Sequence, residues 1–148
     1  MSIPEPIERA RFFGRSKGKT LRKGQRELVD RLLPQLLIML PAVADGQTLD
    51  LSLLFPIKPS SLHLEIGFGG GEHLLHRATE NHSVGFIGVE PFVNGMAKLL
   101  MEIEREEIRN IRVFNNDATI LLRRLPAGSI SGVDLLYPDP WPKRRQRK

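Results

Sequence analysis

Cysteine is absent from the 148 residues, which excludes disulfides and thiolate metal centres and leaves the fold to its core. Also missing is any run of about eighteen apolar residues, so no transmembrane helix is expected. The longest apolar-rich stretch, Leu28 to Leu40, is interrupted by Asp30, Arg31, Pro34 and Gln35. The opening MSIPEPIERARFF lacks the apolar centre of a signal peptide. There are no internal repeats and no low-complexity tracts. These absences lead us to expect a cytoplasmic chain with no membrane partner. What is present is 41% apolar residues, enough for the core of one compact domain.

The net charge of +5 is unevenly placed. Residues 1–26 hold eight Lys and Arg against Glu5 and Glu8, and residues 143–148 hold five more basic residues. The interval 27–142 carries nine basic and fifteen acidic residues. The expected organisation is therefore a basic flexible arm over 1–23, a folded domain over 24–142 and a basic tail over 143–148. Basic ends on an acidic body suit a polyanion: Lys and Arg displace condensed counterions from phosphates, and the binding is salt-sensitive. Charge alone leaves open a solvated tail that binds nothing.

From Gly24 the leucines Leu28, Leu32, Leu33, Leu36, Leu37 and Leu40 recur at helical spacing, and Pro34 predicts a kink or a restart. Residues 41–61 read as a loop. Strands and helices then alternate. Leu62–Ile66 is the first strand and Glu72–Asn81 a helix. Gly85–Glu90 is the second strand. Pro91 is expected at the first position of a helix whose stripe runs Phe92, Met96, Leu99, Leu100 and Ile103, with Met96 to Met101 read as core. Ile111–Phe114 is the third strand, Ala118–Leu125 a short helix and Val133–Tyr137 the fourth strand. Such alternation predicts an α/β fold with a mostly parallel, doubly wound, Rossmann-like sheet.

The segment Glu65 to Glu72, EIGFGGGE, joins the first strand to its helix. Neither register fits the dinucleotide pattern G-x-G-x-x-G, because Glu72 and Leu74 stand where its last glycine belongs. The fit is E-x-G-x-G-x-G, through Gly67, Gly69 and Gly71. Carboxylates at both ends of the loop would repel a pyrophosphate, which a nicotinamide dinucleotide places there. S-adenosylmethionine has no phosphate; it carries an ammonium and a sulfonium, which suit Glu65. Glu90 ends the second strand, about twenty residues on, where an acid accepts from ribose hydroxyls. Asp117, after the third strand, is placed to accept from an adenine amine, or simply to cap the next helix. Asp139 follows the fourth strand. Four acids at four strand ends point to a ligand beyond the sheet's carboxyl edge. Prolines on both sides of Asp139 stiffen its backbone. Trp141 offers a face for a base, or packs as part of a rigid exit loop. His73 and His76, one turn apart with no third ligand in view, read as surface or partly packed side chains, and no metal is expected.

The segments YPDPWPKRRQRK (137–148), LEIGFGGGEHL (64–74), FIGVEPFVNG (86–95), Asn115–Ala118 and Lys23-Gly24-Gln25 resemble the signature of bacterial tRNA (guanine-N7-)-methyltransferases. The resemblance covers nearly the whole chain. It implies the class I S-adenosylmethionine-dependent methyltransferase fold, a seven-stranded sheet, so this chain is expected to lack the C-terminal strands and a later Thr-x-x-Glu element. It implies S-adenosylmethionine as cofactor, held by Glu65, Glu90, Asp117 and Asp139, and tRNA as partner. It also implies Asp139 as the catalytic residue and Lys143 as a substrate contact. Guanine N7 has a free lone pair and no proton, so attack on the sulfonium methyl requires no general base. Asp139 would serve by orienting the base and stabilising the cationic product. Two alternatives remain: a methyltransferase with another acceptor, and a truncated chain that binds cofactor or RNA without turnover. Charge and motif leave the oligomeric state open, monomer or homodimer.

Overall fold

The computed structural model describes residues 18–40 and 47–135. The arm as far as residue 17, the segment 41–46, and everything from Leu136 onward, including Tyr137, Asp139, Trp141, Lys143 and the basic tail, lie outside the described residues.

Nine residues, Lys23–Arg31, form α1, and Leu33–Leu36 form α2 with Pro34 in its first turn. Pro34 thus restarts the helix, because its missing N–H is lost without cost in a first turn. The helix does not run on to Leu40. Leu37 turns extended, bridges Val113 in parallel, and the Ile38 N–H donates to the Val113 carbonyl at 2.8 Å. Leu37 and Leu40 are apolar because they meet the sheet, not because they continue a helix.

The sheet comprises β1 (Ser61–Ile66), β2 (Val84–Val89), β3 (Ile111–Phe114) and β4 (Gly132–Leu135). All pairings are parallel and the order is β3-β2-β1-β4. Between the strands run α3 (Glu72–Glu80), α4 (Val93–Glu106) and α5 (Ala118–Leu122). The path moves from β1 outward to β3, then returns to place β4 on the other side of β1. Right-handed crossovers therefore put α3 and α4 on one face and α5 on the other. Two apolar clusters follow. Leu74 and Ala78 of α3 and Met96, Leu99, Leu100 and Ile103 of α4 pack with α1 and α2 over Phe86, Ile111 and Val113. On the far face Leu62, Leu64, Ile87, Val89 and Phe114 pack with Phe55, Leu121, Ile38 and Leu40. Strand alternation sends Leu62 and Leu64 one way and His63 and Glu65 the other.

Three sequence expectations are corrected here. Pro91 precedes the cap residue Phe92, so α4 begins at Val93. Met101 is 42% exposed, whereas Met96 is buried at 1%. The final helix also stops at Leu122, short of Leu125.

Gly24, near the start of α1, has nothing within 4 Å of the place a Cβ would occupy. Gly24→Ala therefore loses only glycine's backbone freedom. It should raise unfolding free energy by about 0.5–1 kcal/mol, measured as a shift in urea midpoint at constant m-value.

Candidate active site

Returning to β4 creates the switch point between β1 and β4, and an open α/β sheet binds its ligand beyond the strand carboxyl ends there. The glycine loop leaves β1 at that place. Gly67, Gly69 and Gly71 all have positive φ, at 72°, 60° and 86°, while Gly70 does not. The three positions chosen by the E-x-G-x-G-x-G reading are thus the three that need the left-handed region. The loop is pinned at several points. Phe68 is buried and lies over Gly88, where a Cβ would come within 2.8 Å of its ring. Gly67 donates to the Val89 carbonyl at 2.8 Å. A Cβ on Gly95, in the first turn of α4, would stand 2.1 Å from the Gly69 carbonyl oxygen.

Glu90 folds back on the same loop. Its carboxylate accepts from the Gly69 N–H at 3.1 Å and the Phe92 N–H at 3.3 Å. Burial pushes its pKa up, against the pull of those two amides. Each oxygen keeps a second lone pair, so the brace does not use up its accepting capacity.

Among the described residues Glu65 is the deepest charged group, 1% exposed. Burial raises its carboxyl above the ordinary range, opposed by a hydrogen bond from His73, whose Nδ1 lies 2.9 Å from Oε2. Oε1 is buried with no hydrogen-bond partner among the described residues. Beside it in register stands Asp134 of β4. Asp134 Oδ2 accepts from Arg77 at 2.6 Å and is 2.9 Å from His63 Nε2. Desolvation acts upward on Asp134, but those two partners outweigh it and hold its carboxyl below the usual range. Glu65, His73 and Asp134 bring possible ligand atoms within 4.8 Å of one another. The Arg77 guanidinium already neutralises Asp134, so a metal ion would have to displace a cation; we read the cluster as an ion-pair network. Sequence reasoning placed Glu65 but missed this network. His73 is not idle surface: it is the contact that holds Glu65. Its signal was weak, since a helix residue eight positions on meets Glu65 only because β1 turns that side chain toward α3. His76, by contrast, is exposed and 3.5 Å from Glu80.

Asp117 caps α5. Its Oδ1 accepts from both the N–H and the hydroxyl of Thr119, each at 2.7 Å. The capping alternative is therefore realised, and it leaves the proposed adenine contact to the other oxygen.

A cleft of about 770 Å³ runs past the outer side of the loop, lined among others by Lys19, Arg22, Gly70, Asn94 and Lys98. Glu65, Glu90 and Asp117 do not line it. The root of the basic arm borders it: Asn94 donates to the Lys19 carbonyl at 2.7 Å.

A family described as "putative methyltransferase" has a profile that matches residues 59–148. A protein of Azorhizobium caulinodans named tRNA (guanine-N(7)-)-methyltransferase is 51% identical over 147 residues, covering 99% of this chain and 62% of its own length. A namesake in Rhizobium etli is 58% identical over 137 residues, covering 93% of this chain and 58% of its own. The chain thus spans about three fifths of the length of these curated relatives. A solved structure described as an antibiotic related methyltransferase aligns with 81% of this chain and 50% of its own, at 15% identity and a TM-score of 0.46. The family profile starts two residues before β1 and runs through every strand of the sheet. On that match the chain belongs to the family of putative methyltransferases.

Proposed function

We propose that the protein transfers the methyl group of S-adenosylmethionine to N7 of a guanine in tRNA. The observation that carries this reading is the 51–58% identity to proteins named for that reaction, over 93% or more of the chain. The loop chemistry supports the cofactor. Three glycines bring backbone close to a ligand, the helix start is flanked by carboxylates instead of being left open to phosphate, and the orphaned Oε1 of Glu65 suits an ammonium group. Glu90, beside the loop, is placed to accept from ribose hydroxyls, and Asp117 from the adenine amine. In this reading Asp139 aligns N7 with the methyl and offsets the positive charge that develops on the ring. Lys143 contacts the substrate. The arm over 1–23 and the tail over 143–148 hold the RNA backbone, around a methyltransferase domain over 24–142. Among the described residues no helix is long and apolar enough to cross a membrane, and a cytoplasmic reaction goes with the proposed tRNA substrate.

The test is methyl transfer from labelled S-adenosylmethionine, offered either unmodified tRNA or a protein extract. Label should enter tRNA and sit on guanine, and the tRNA should become cleavable there, because N7 methylation labilises the ring. Label in protein, or on any other atom of the RNA, would overturn the reading.

A further inference from the structure

The two oxygens of Glu65 are not equivalent. Oε2 takes a hydrogen bond from His73, and Oε1 has none. A carboxylate only accepts, so the His73 ring carries its proton on Nδ1 when neutral. Among the described residues, the other charged groups that act on Glu65 are committed elsewhere or repel it. Arg77 of α3 is spent on Asp134, and His63 of β1 meets the same carboxylate. Asp134 of β4 itself adds a like charge that disfavours an ionised Glu65. Among the described residues, His73 is the one hydrogen-bond donor that Glu65 has. Its side chain is 44% exposed, so it reaches solvent while its Nδ1 faces a buried acid.

We propose that His73 is a positioning residue for the cofactor: by donating Nδ1–H to Oε2 it fixes the orientation of Glu65, leaving Oε1 to receive the cofactor's ammonium group. This rests on the proposed S-adenosylmethionine reading of the site. Without the donor, burial and Asp134 act on Glu65 unopposed except by the more distant Arg77. The carboxyl is then pushed further up and loses the contact that fixes its orientation, and both weaken its hold on the ammonium. His73 thus governs the amino-acid end of the cofactor and leaves the adenosine end alone.

Two ligands separate those ends. S-adenosylhomocysteine carries the amino-acid group; 5′-methylthioadenosine keeps the adenosine and sulfur without it. Calorimetry on the protein and on His73→Ala, from about pH 6 to about pH 9, reads both. The expected result is that His73→Ala weakens S-adenosylhomocysteine by about tenfold or more at neutral pH, the size of losing a hydrogen bond to a charged group. The loss should be greatest at the acid end of that range, where removing the donor favours the protonated carboxyl. Binding of 5′-methylthioadenosine should not change, and His73→Gln, whose amide also donates, should restore much of the affinity. Equal loss for both ligands would mean that His73 only supports the fold, and no loss for either would mean that Glu65 is held without it; each overturns the proposal. A parent protein that binds neither ligand overturns the cofactor reading first, and is told apart from failure of the His73 role by that control.

Discussion

Gly95→Ala should lose about 2–3 kcal/mol of stability, and most of the cofactor affinity with it. The added methyl would stand 2.1 Å from the Gly69 carbonyl oxygen and 3.0 Å from its carbon. Both are backbone atoms, so no side-chain rotation relieves the overlap. Two responses are open. The loop can retreat from α4, which pulls the Gly69 N–H off the Glu90 carboxylate. Or α4 can retreat from the loop, which loosens Met96, Leu99 and Leu100 in the core. The first response separates the loop from Glu90, the two proposed halves of one binding surface, and the second shifts the Phe92 N–H that also holds Glu90. Urea unfolding measures the first effect and calorimetry with S-adenosylhomocysteine the second. Gly24→Ala, the same chemical change in open space, is the control and should move the opposite way. If Gly95→Ala unfolded at the parent's midpoint and bound as tightly, the close approach of loop and helix would not matter.

Glu65→Gln should separate stability from binding. The fold buries this carboxylate against its preference for water, and burial raises its pKa above the unfolded value despite His73. The sign follows. Between the unfolded and folded pKa the folded state holds more protons, so the parent is most stable below that window and loses stability as pH rises through it. Gln has nearly the same shape and no charge to bury. The variant should therefore unfold at higher temperature than the parent at neutral pH, with the advantage vanishing toward acid pH, where Glu65 is protonated in both states. Its affinity for S-adenosylhomocysteine should fall by about ten- to a hundredfold, since a neutral amide oxygen can accept from the ammonium but offers it no charge. Thermal scans across pH and calorimetry at neutral pH decide both. A variant less stable than its parent at neutral pH would show that the charge is better solvated than its burial implies.

Local chemistry made part of this site legible in the sequence. Gly67, Gly69 and Gly71 are readable because glycine takes positive φ at the least steric cost. Glu65 and Glu90 are readable because strand ends sit at fixed offsets from that loop. The parallel sheet follows from alternation of strand and helix periods. What escaped was set by contacts distant in the chain. Leu37 and Leu40 fit the helical spacing of the leucines before them, but Leu37 and Ile38 pair with Val113 on the sheet's edge. The Arg77–Asp134–His63 network joins a helix and two strands, and no spacing announces it. Asp117 shows a different limit: an acid ahead of a helix looks the same as a cap and as a ligand group, and only the Thr119 bonds reveal the cap. Asp139, Trp141 and Lys143 lie outside the described residues, so their roles rest on motif and resemblance.

The pairing of Leu37 and Ile38 with Val113 bears on how the chain is made. β3 lies between β2 and that short extended segment, and both precede it in sequence. A ribosome therefore delivers β3 into a slot whose two walls have already emerged, and this side of the sheet can close during synthesis. β1 is made earlier but keeps one side unpaired until β4 follows. Among the described strands the gap that closes last is the switch point, where Glu65 waits for Asp134.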